Sequence, residues 1–93
     1  MNIQKMSASQ NAINTFREKH GSRFSASVER SAKGRHTVQE HEIFIGHGRD
    51  ADANRPYVCI DDDEIFDCAR CEIQLRDDVL IIRQDAETIY IIP

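Results

Sequence analysis

The sequence predicts an α+β fold in which one N-terminal helix packs on a mostly antiparallel sheet of five or six strands. Three observations predict it: a helical pattern over residues 7–20, hairpin-like alternation over residues 24–46, and three apolar runs in residues 71–93. Residues 1–93 have the length of a single domain, which can bury enough surface to fold without a metal or disulfide.

The clearest predicted element is the three-stranded meander that ends the sheet, CEIQLR, DD, VLIIRQ, DAE and TIYIIP. A two-residue turn at Asp77-Asp78 places Leu75 opposite Leu80 and Ile73 opposite Ile82. With an even-length second turn, one face collects six apolar residues: Ile73, Leu75, Leu80, Ile82, Ile89 and Ile91. The other face carries Val79, Ile81, Tyr90 and Ile92, so it must also be covered or form an interface.

The last strand, residues 88–92, is predicted to lie at an edge of this sheet. An edge that exposes Tyr90 and Ile92 tends to pair with another chain unless it is covered. A homodimer through this edge is therefore one hypothesis for self-association.

The predicted helix begins at Ser7, which has the spacing of a capping box with Gln10. Ile13 and Phe16 belong to its narrow apolar stripe, and Gly21 suits the position just after its C-terminal end. Such a short helix is stable only if this stripe packs on the sheet.

A long hairpin is predicted to follow the helix. Residues 24–28 alternate like a half-buried strand, residues 31–34 form a turn, and residues 36–46 return with a bulge near residue 43. The polar segment 46–56 is a candidate contact loop, and residues 57–60 form a short strand.

The segment from Asp61 to Arg70 fits two structures. Asp61 and Glu64 have capping-box spacing, and acids in a first turn suit the helix dipole, which favours a helical turn at residues 62–69. The alternative is an extended chain in which Ile65 and Phe66 anchor a crossing loop.

The net charge of −4 conceals an asymmetric distribution. Residues 1–36 contain seven Lys or Arg and two Glu, whereas residues 37–93 contain five Arg and fourteen Asp or Glu. These parts carry +5 and −9, which predicts a dipolar surface on one folded domain.

A dense acidic cluster provides the leading functional hypothesis, a non-enzymatic binding module of inhibitor or accessory type that docks on a basic protein partner. A patch of one sign steers association, and an apolar side chain within it would anchor the contact. The predicted partner-binding residues are Asp61, Asp62, Asp63, Glu64, Phe66 and Asp67.

Cys68-Ala-Arg-Cys71 suggests a zinc-stabilised module as an alternative. With Cys59 and either His41 or His47, the pair would complete a Cys3His site. A single C-x-x-C without a second pair is more often incidental than metal-binding, so the sequence favours thiols packed in the core and no cofactor.

A second alternative is a nucleic-acid-binding accessory protein that uses the basic N-terminal half. No recognised nucleic-acid motif surrounds those basic residues, so a solvated surface is favoured. Gly46-His47-Gly48 is the sole histidine segment whose flanking glycines would admit a substrate, but an exposed loop histidine is the favoured interpretation. Because no catalytic motif is present either, we expect no enzyme.

The odd number of cysteines and the lack of an apolar signal or membrane segment predict a cytoplasmic protein with reduced thiols and no membrane partner.

Overall fold

The computed structural model describes residues 3–47 and 55–93, with side chains from residue 8 onward. One helix, α1, spans Ile3–His20 and precedes seven strands. The strands are β1 Arg23–Ala32, β2 Arg35–His47, β3 Pro56–Ile60, β4 Glu64–Asp67, β5 Glu72–Arg76, β6 Val79–Gln84 and β7 Glu87–Ile92. They form one antiparallel sheet in the order β4-β3-β2-β1-β7-β6-β5. The α+β class is confirmed, with seven strands in the sheet rather than five or six.

The strand order forces the sheet to curl. β4 and β5 are its two edge strands, yet only residues 68–71 connect them. In a flat sheet these edges would lie about 29 Å apart, because six strand spacings of about 4.8 Å separate them. The five Cα steps from Asp67 to Glu72 reach at most about 17 Å. The sheet therefore bends round on itself and encloses a core on its concave face.

The core is formed by the inward-facing residues of all seven strands and by two residues of α1. Alternation along each strand sends every second side chain inward. The buried cluster comprises Ile13, Phe16, Ala26, Val28, Ile43, Ile45, Val58, Ile60, Phe66, Cys68, Cys71, Ile73, Leu80, Ile82, Ile89 and Ile91.

The C-terminal meander has the predicted register. Leu75 pairs with Leu80, Ile73 with Ile82, and Ile82 in turn with Ile89. Asp77 and Asp78 both have positive φ, 52° and 65°, as a tight two-residue hairpin turn requires. Aspartate tolerates this conformation because its short side chain can hydrogen-bond locally.

β7 lies between β1 and β6, so the prediction that it is an edge strand was wrong. Its pairing with β1 joins residues at least 55 positions apart, such as Val28 and Ile91, and no local sequence pattern predicts such a pair. On the outer face of the meander Ile81 is buried, whereas Ile92 is 36% exposed.

The predicted helical turn at residues 62–69 is also wrong. Residues 61–63 form a turn, and Glu64–Asp67 form β4, which pairs with β3. Because β3 presents an unpaired side, strand pairing satisfies this backbone better than a single helical turn would.

The N-terminal elements need two smaller corrections. α1 begins at Ile3, so Ser7 lies within the helix and does not cap it. β1 and β2 pair continuously from Arg23 with Phe44 to Ala32 with Arg35, without a bulge near residue 43. Gly21 ends α1 as predicted: it has a φ of 89°, and its N–H donates to the Arg17 carbonyl at 2.7 Å.

Ser9 connects α1 to the edge of the sheet. Its buried hydroxyl accepts a hydrogen bond from the Ile73 N–H at 3.0 Å. This N–H points away from β6, since a two-residue turn after Arg76 directs residues 72, 74 and 76 towards β6. α1 therefore covers the edge of β5 through a specific hydrogen bond as well as through apolar packing.

We predict that Ser9→Ala lowers the free energy of unfolding by about 1–2 kcal/mol, because it leaves the buried Ile73 N–H without an acceptor. Urea unfolding followed by circular dichroism measures the difference. Thr15→Ala, an exposed change on the same helix, is the matched control and should shift the free energy by less than about 0.5 kcal/mol. Equal effects of the two substitutions would contradict this role of Ser9.

Candidate functional site

The acidic turn, Asp61 to Asp63, connects β3 to β4 and is fixed to the neighbouring strand β2. Asp61 accepts a hydrogen bond from the Glu42 N–H at 3.0 Å, and the Asp61 N–H donates to the Glu42 carbonyl at 2.8 Å. The second carboxylate oxygen of Asp61 bonds the Nδ1 atom of His41. This histidine and the Glu42 N–H lower the pKa of Asp61. Asp61 thus has a structural role at the end of the β2–β3 ladder.

The other acids of the predicted site differ in their surroundings. Asp62 lies 3.7 Å from Arg23 and keeps 65% of its side chain exposed, and Asp63 is also exposed. Asp67 accepts hydrogen bonds from the Arg70 side chain and from the Ala69 and Arg70 N–H groups, the latter at 3.1 and 3.0 Å. Asp62 and Asp63 are therefore the acids most accessible to a partner.

Glu64 belongs to a charged cluster at one end of the core. Arg30 Nη2 donates to Glu64 at 3.0 Å, and Arg30 Nε donates to Glu87 at 2.7 Å. This arginine lowers the pKa of Glu64, and the two carboxylates raise the pKa of Arg30. The guanidinium thereby joins β4 to β1 and β7, strands that are not all neighbours in the sheet.

Sequence reasoning missed this cluster because its members are 34 and 57 residues apart. One signal was available: Arg30 has the same parity along β1 as the buried Ala26 and Val28. A concavity of about 330 Å³ lies beside it, lined in part by Lys33, Glu64 and Glu87.

Ile65 and Phe66 are adjacent on β4, and their side chains face opposite sides of the sheet. Phe66 points inward and is 4% exposed, so it belongs to the core, although the sequence suggested it as a partner-binding residue. Ile65 points outward and is 53% exposed. Strand alternation permits only one of them to be buried, and the apolar anchor of this surface is Ile65.

Ile65 completes an outer row of side chains that runs across four strands: Arg23, Phe44, Cys59 and Ile65. The Arg23 guanidinium lies 4.9 Å from the centre of the Phe44 ring, within the range of cation–π attraction. Arg23 also contacts Glu42 at 3.3 Å. The outer row is thus apolar towards Ile65 and charged at its other end.

His47 is exposed at the end of β2, and an aromatic ring covers Gly46 beside it. The Tyr57 ring packs over Gly46, where a Cβ atom would lie 2.6 Å from the Tyr57 hydroxyl. Arg17 Nη1 lies 3.1 Å from Nδ1 of His47, within hydrogen-bonding distance. Gly46 therefore provides space for an aromatic side chain of the protein itself. Most of the candidate contact loop, residues 48–54, lies outside the described residues.

The three cysteines lie on two sides of the sheet. Cys68 and Cys71 belong to the core, whereas Cys59 faces outward between Phe44 and Ile65. Burial raises the pKa of the Cys68 thiol to about 11, and it also raises the pKa of Cys71 and of Cys59. Cys68 donates to the Pro56 carbonyl at 3.7 Å. Cys68 and Cys71 therefore pack as small apolar groups at the connection between the two edges of the sheet.

The zinc ligands considered from the sequence are therefore not brought together. His41 is bonded to Asp61, and Cys59 is separated from Cys68 and Cys71 by the sheet. Among residues 3–47 and 55–93, no three His, Cys, Asp or Glu side chains form a group that could hold a metal ion.

We predict that replacing Arg30 by Met lowers the free energy of unfolding at neutral pH by about 2 kcal/mol, because two carboxylates lose a charged donor. The variant should also respond less to acid. The lowered pKa of Glu64 stabilises the native state above its ordinary value of 4.5, and this contribution disappears as the pH falls through the lower native pKa.

Chemical denaturation between about pH 7 and pH 3 measures both effects, since this interval contains the loss of the Glu64 contribution. The stability of the natural protein should fall more steeply below about pH 5 than that of the Met variant. Arg83→Met, at an exposed arginine of β6, is the control and should keep the natural profile. Parallel profiles for Arg30→Met and the natural protein would contradict the Arg30–Glu64 linkage.

We also predict that native Cys68 reacts with iodoacetamide at most about a hundredth as fast as in denaturant, because a pKa of about 11 instead of 9.0 reduces the reactive thiolate about a hundredfold. Mass spectrometry of labelled peptides measures the rate at each cysteine. Rapid labelling of native Cys68 would instead indicate an accessible, reactive thiol.

The site was also compared with known proteins. The chain matches no protein-family model, and no curated protein or solved structure is significantly similar to it. Over the described residues, the structure has no helix whose length and apolar character would let it cross a membrane.

Proposed function

We propose that the protein is a non-enzymatic binding module that docks on a basic protein partner through the acidic turn and Ile65. The observation that carries the proposal is the position of Ile65, 53% exposed on the outer face of β4, beside the turn that presents Asp62 and Asp63. An exposed branched side chain beside exposed carboxylates supplies both an anchor and a charge for recognition.

The arrangement resembles the centre and rim of a protein interface. Ile65 lies next to Cys59 and Phe44 in the outer row, so its burial by a partner would extend an apolar area. Asp62 and Asp63 lie at the border, where they remain hydrated and can steer a basic partner. The acidic turn is also held rigidly by Asp61, which reduces the entropy lost when a partner binds.

The two alternative functions have less support. A zinc-stabilised module would need Cys59 on the same side of the sheet as Cys68 and Cys71. A nucleic-acid-binding protein would use the basic N-terminal half, but Arg23 and Arg30 already hold carboxylates of the acidic half. Such pairing lowers the charge available for phosphate contacts.

We predict that Asp62→Lys with Asp63→Lys reduces capture of the partner at least about tenfold, since reversing rim charges next to an anchor converts attraction into repulsion. The tagged protein is incubated with extract of its host, and the bound proteins are quantified by mass spectrometry. The captured protein should be basic, and its capture should fall with added salt.

Asp77→Lys with Asp85→Lys is the matched control, because these exposed acids also lie in hairpin turns and Asp77 shares the positive φ of Asp62, 52° against 57°. Ile65→Ser should also abolish capture, whereas Val38→Ser, at a side chain equally exposed, should not. Equal capture by the Asp62/Asp63 variant and its control would refute the proposed docking surface.

A further inference from the structure

The first half of β2 has a free hydrogen-bonding edge. The two-residue turn Lys33-Gly34 makes Ala32 and Arg35 the closing pair of the β1–β2 hairpin. Hydrogen-bonded positions then recur at every second residue, so residues 35, 37, 39 and 41 bond to β1. Residues 36, 38, 40 and 42 point the other way. The bonds between Glu42 and Asp61 verify this direction independently.

Within residues 3–47 and 55–93, no strand covers this edge over residues 36–40. β3 pairs only with residues 43–47 of β2, and the hydrogen bonds of Asp61 end the ladder at Glu42. Every side chain from Arg35 to Glu40 is exposed, and Val38 retains 54% of its accessible surface. The segment contains no proline and no bulge, devices by which edge strands usually avoid pairing.

We propose that this edge binds the same edge of a second copy of the chain, antiparallel, across a two-fold axis at Val38. Val38 then lies opposite Val38 of the second copy, and His36 lies opposite Glu40 on both sides of the axis. These three residues of each copy exchange both backbone bonds with their partners, which gives about six hydrogen bonds across the axis. The two sheets join into one continuous sheet.

Charge and register both favour this occupant. His36 and Glu40 are complementary when the strand meets itself, and an apolar pair lies between the two contacts. His36 also lies 3.4 Å from Glu29 of its own chain, so it is placed between two carboxylates. Moving the axis by one residue towards Glu42 would place His36 opposite Glu42, whose backbone already bonds to Asp61. Moving it the other way would set Glu40 against the turn residue Gly34.

Dimerisation is independent of the proposed docking function, because neither Ile65 nor Asp62 or Asp63 belongs to the paired segment. Sedimentation velocity over a wide concentration range tests it. The natural protein should form a dimer, and Val38→Pro should abolish it, because proline removes the outward N–H while leaving the bonds to β1 intact. Glu40→Lys should weaken the dimer at least about tenfold, because it removes the carboxylate opposite His36, and adding His36→Glu should recover affinity through a new Lys–Glu pair.

Disulfide trapping tests the position of the axis. Val38→Cys should form a covalent dimer on mild oxidation, since Cα atoms of a hydrogen-bonded antiparallel pair lie about 5.5 Å apart, within the range of disulfides. Thr37→Cys, equally exposed but opposite Gln39, is the control and should not be trapped. A monomer at all concentrations, or a dimer that resists both Val38→Pro and Glu40→Lys, would overturn the proposal.

Discussion

The four residues that join β4 to β5 impose the constraint on which the rest of this structure depends. They connect opposite edges of a seven-stranded sheet, so the sheet must curl until those edges approach each other. The inward side chains of every strand then converge on one core, to which α1 contributes Ile13 and Phe16. Cys68 and Cys71 lie at the ends of this connection, and their burial explains both their raised pKa values and their apolar role.

Strand pairing, together with the curl of the sheet, brings oppositely charged parts of the chain into contact. The basic first part and the acidic second part meet across the sheet, where Arg23 contacts Glu42 and Asp62, and Arg30 contacts Glu64 and Glu87. Much of the apparent dipole is therefore neutralised within the molecule. Several acids stay exposed, and Asp62 and Asp63 differ from the others because Ile65 lies beside them.

The unequal lengths of the strands determine where backbone hydrogen-bonding groups remain unpaired in the sheet. β2 has thirteen residues, whereas its neighbour β3 has five. The unpaired half of β2 is one consequence of this difference, and the outward Ile65 on the edge strand β4 is a consequence of strand parity. One surface offers backbone hydrogen bonds and the other offers side chains, so the two proposed contacts use different chemistry and can coexist.

Features that depend on neighbouring residues along the chain could be predicted from the sequence alone. These include the register of the C-terminal meander, which two-residue turns fix, and the end of α1 at Gly21. The hairpin turn was predicted over residues 31–34, and the structure narrows it to Lys33 and Gly34 because Ser31 and Ala32 still pair with β2. Features that depend on contacts between segments far apart in the sequence required the tertiary structure. The acids at 61–64 suit a helix start and a turn equally, and only the unpaired side of β3 selected a strand. Ile65 and Phe66 are adjacent and both apolar, so the alternation of side chains along a strand could not tell which of the two is buried. β1 and β7 pair at least 55 residues apart in sequence, and Arg30 lies 34 and 57 residues from Glu64 and Glu87, distances at which no local preference acts.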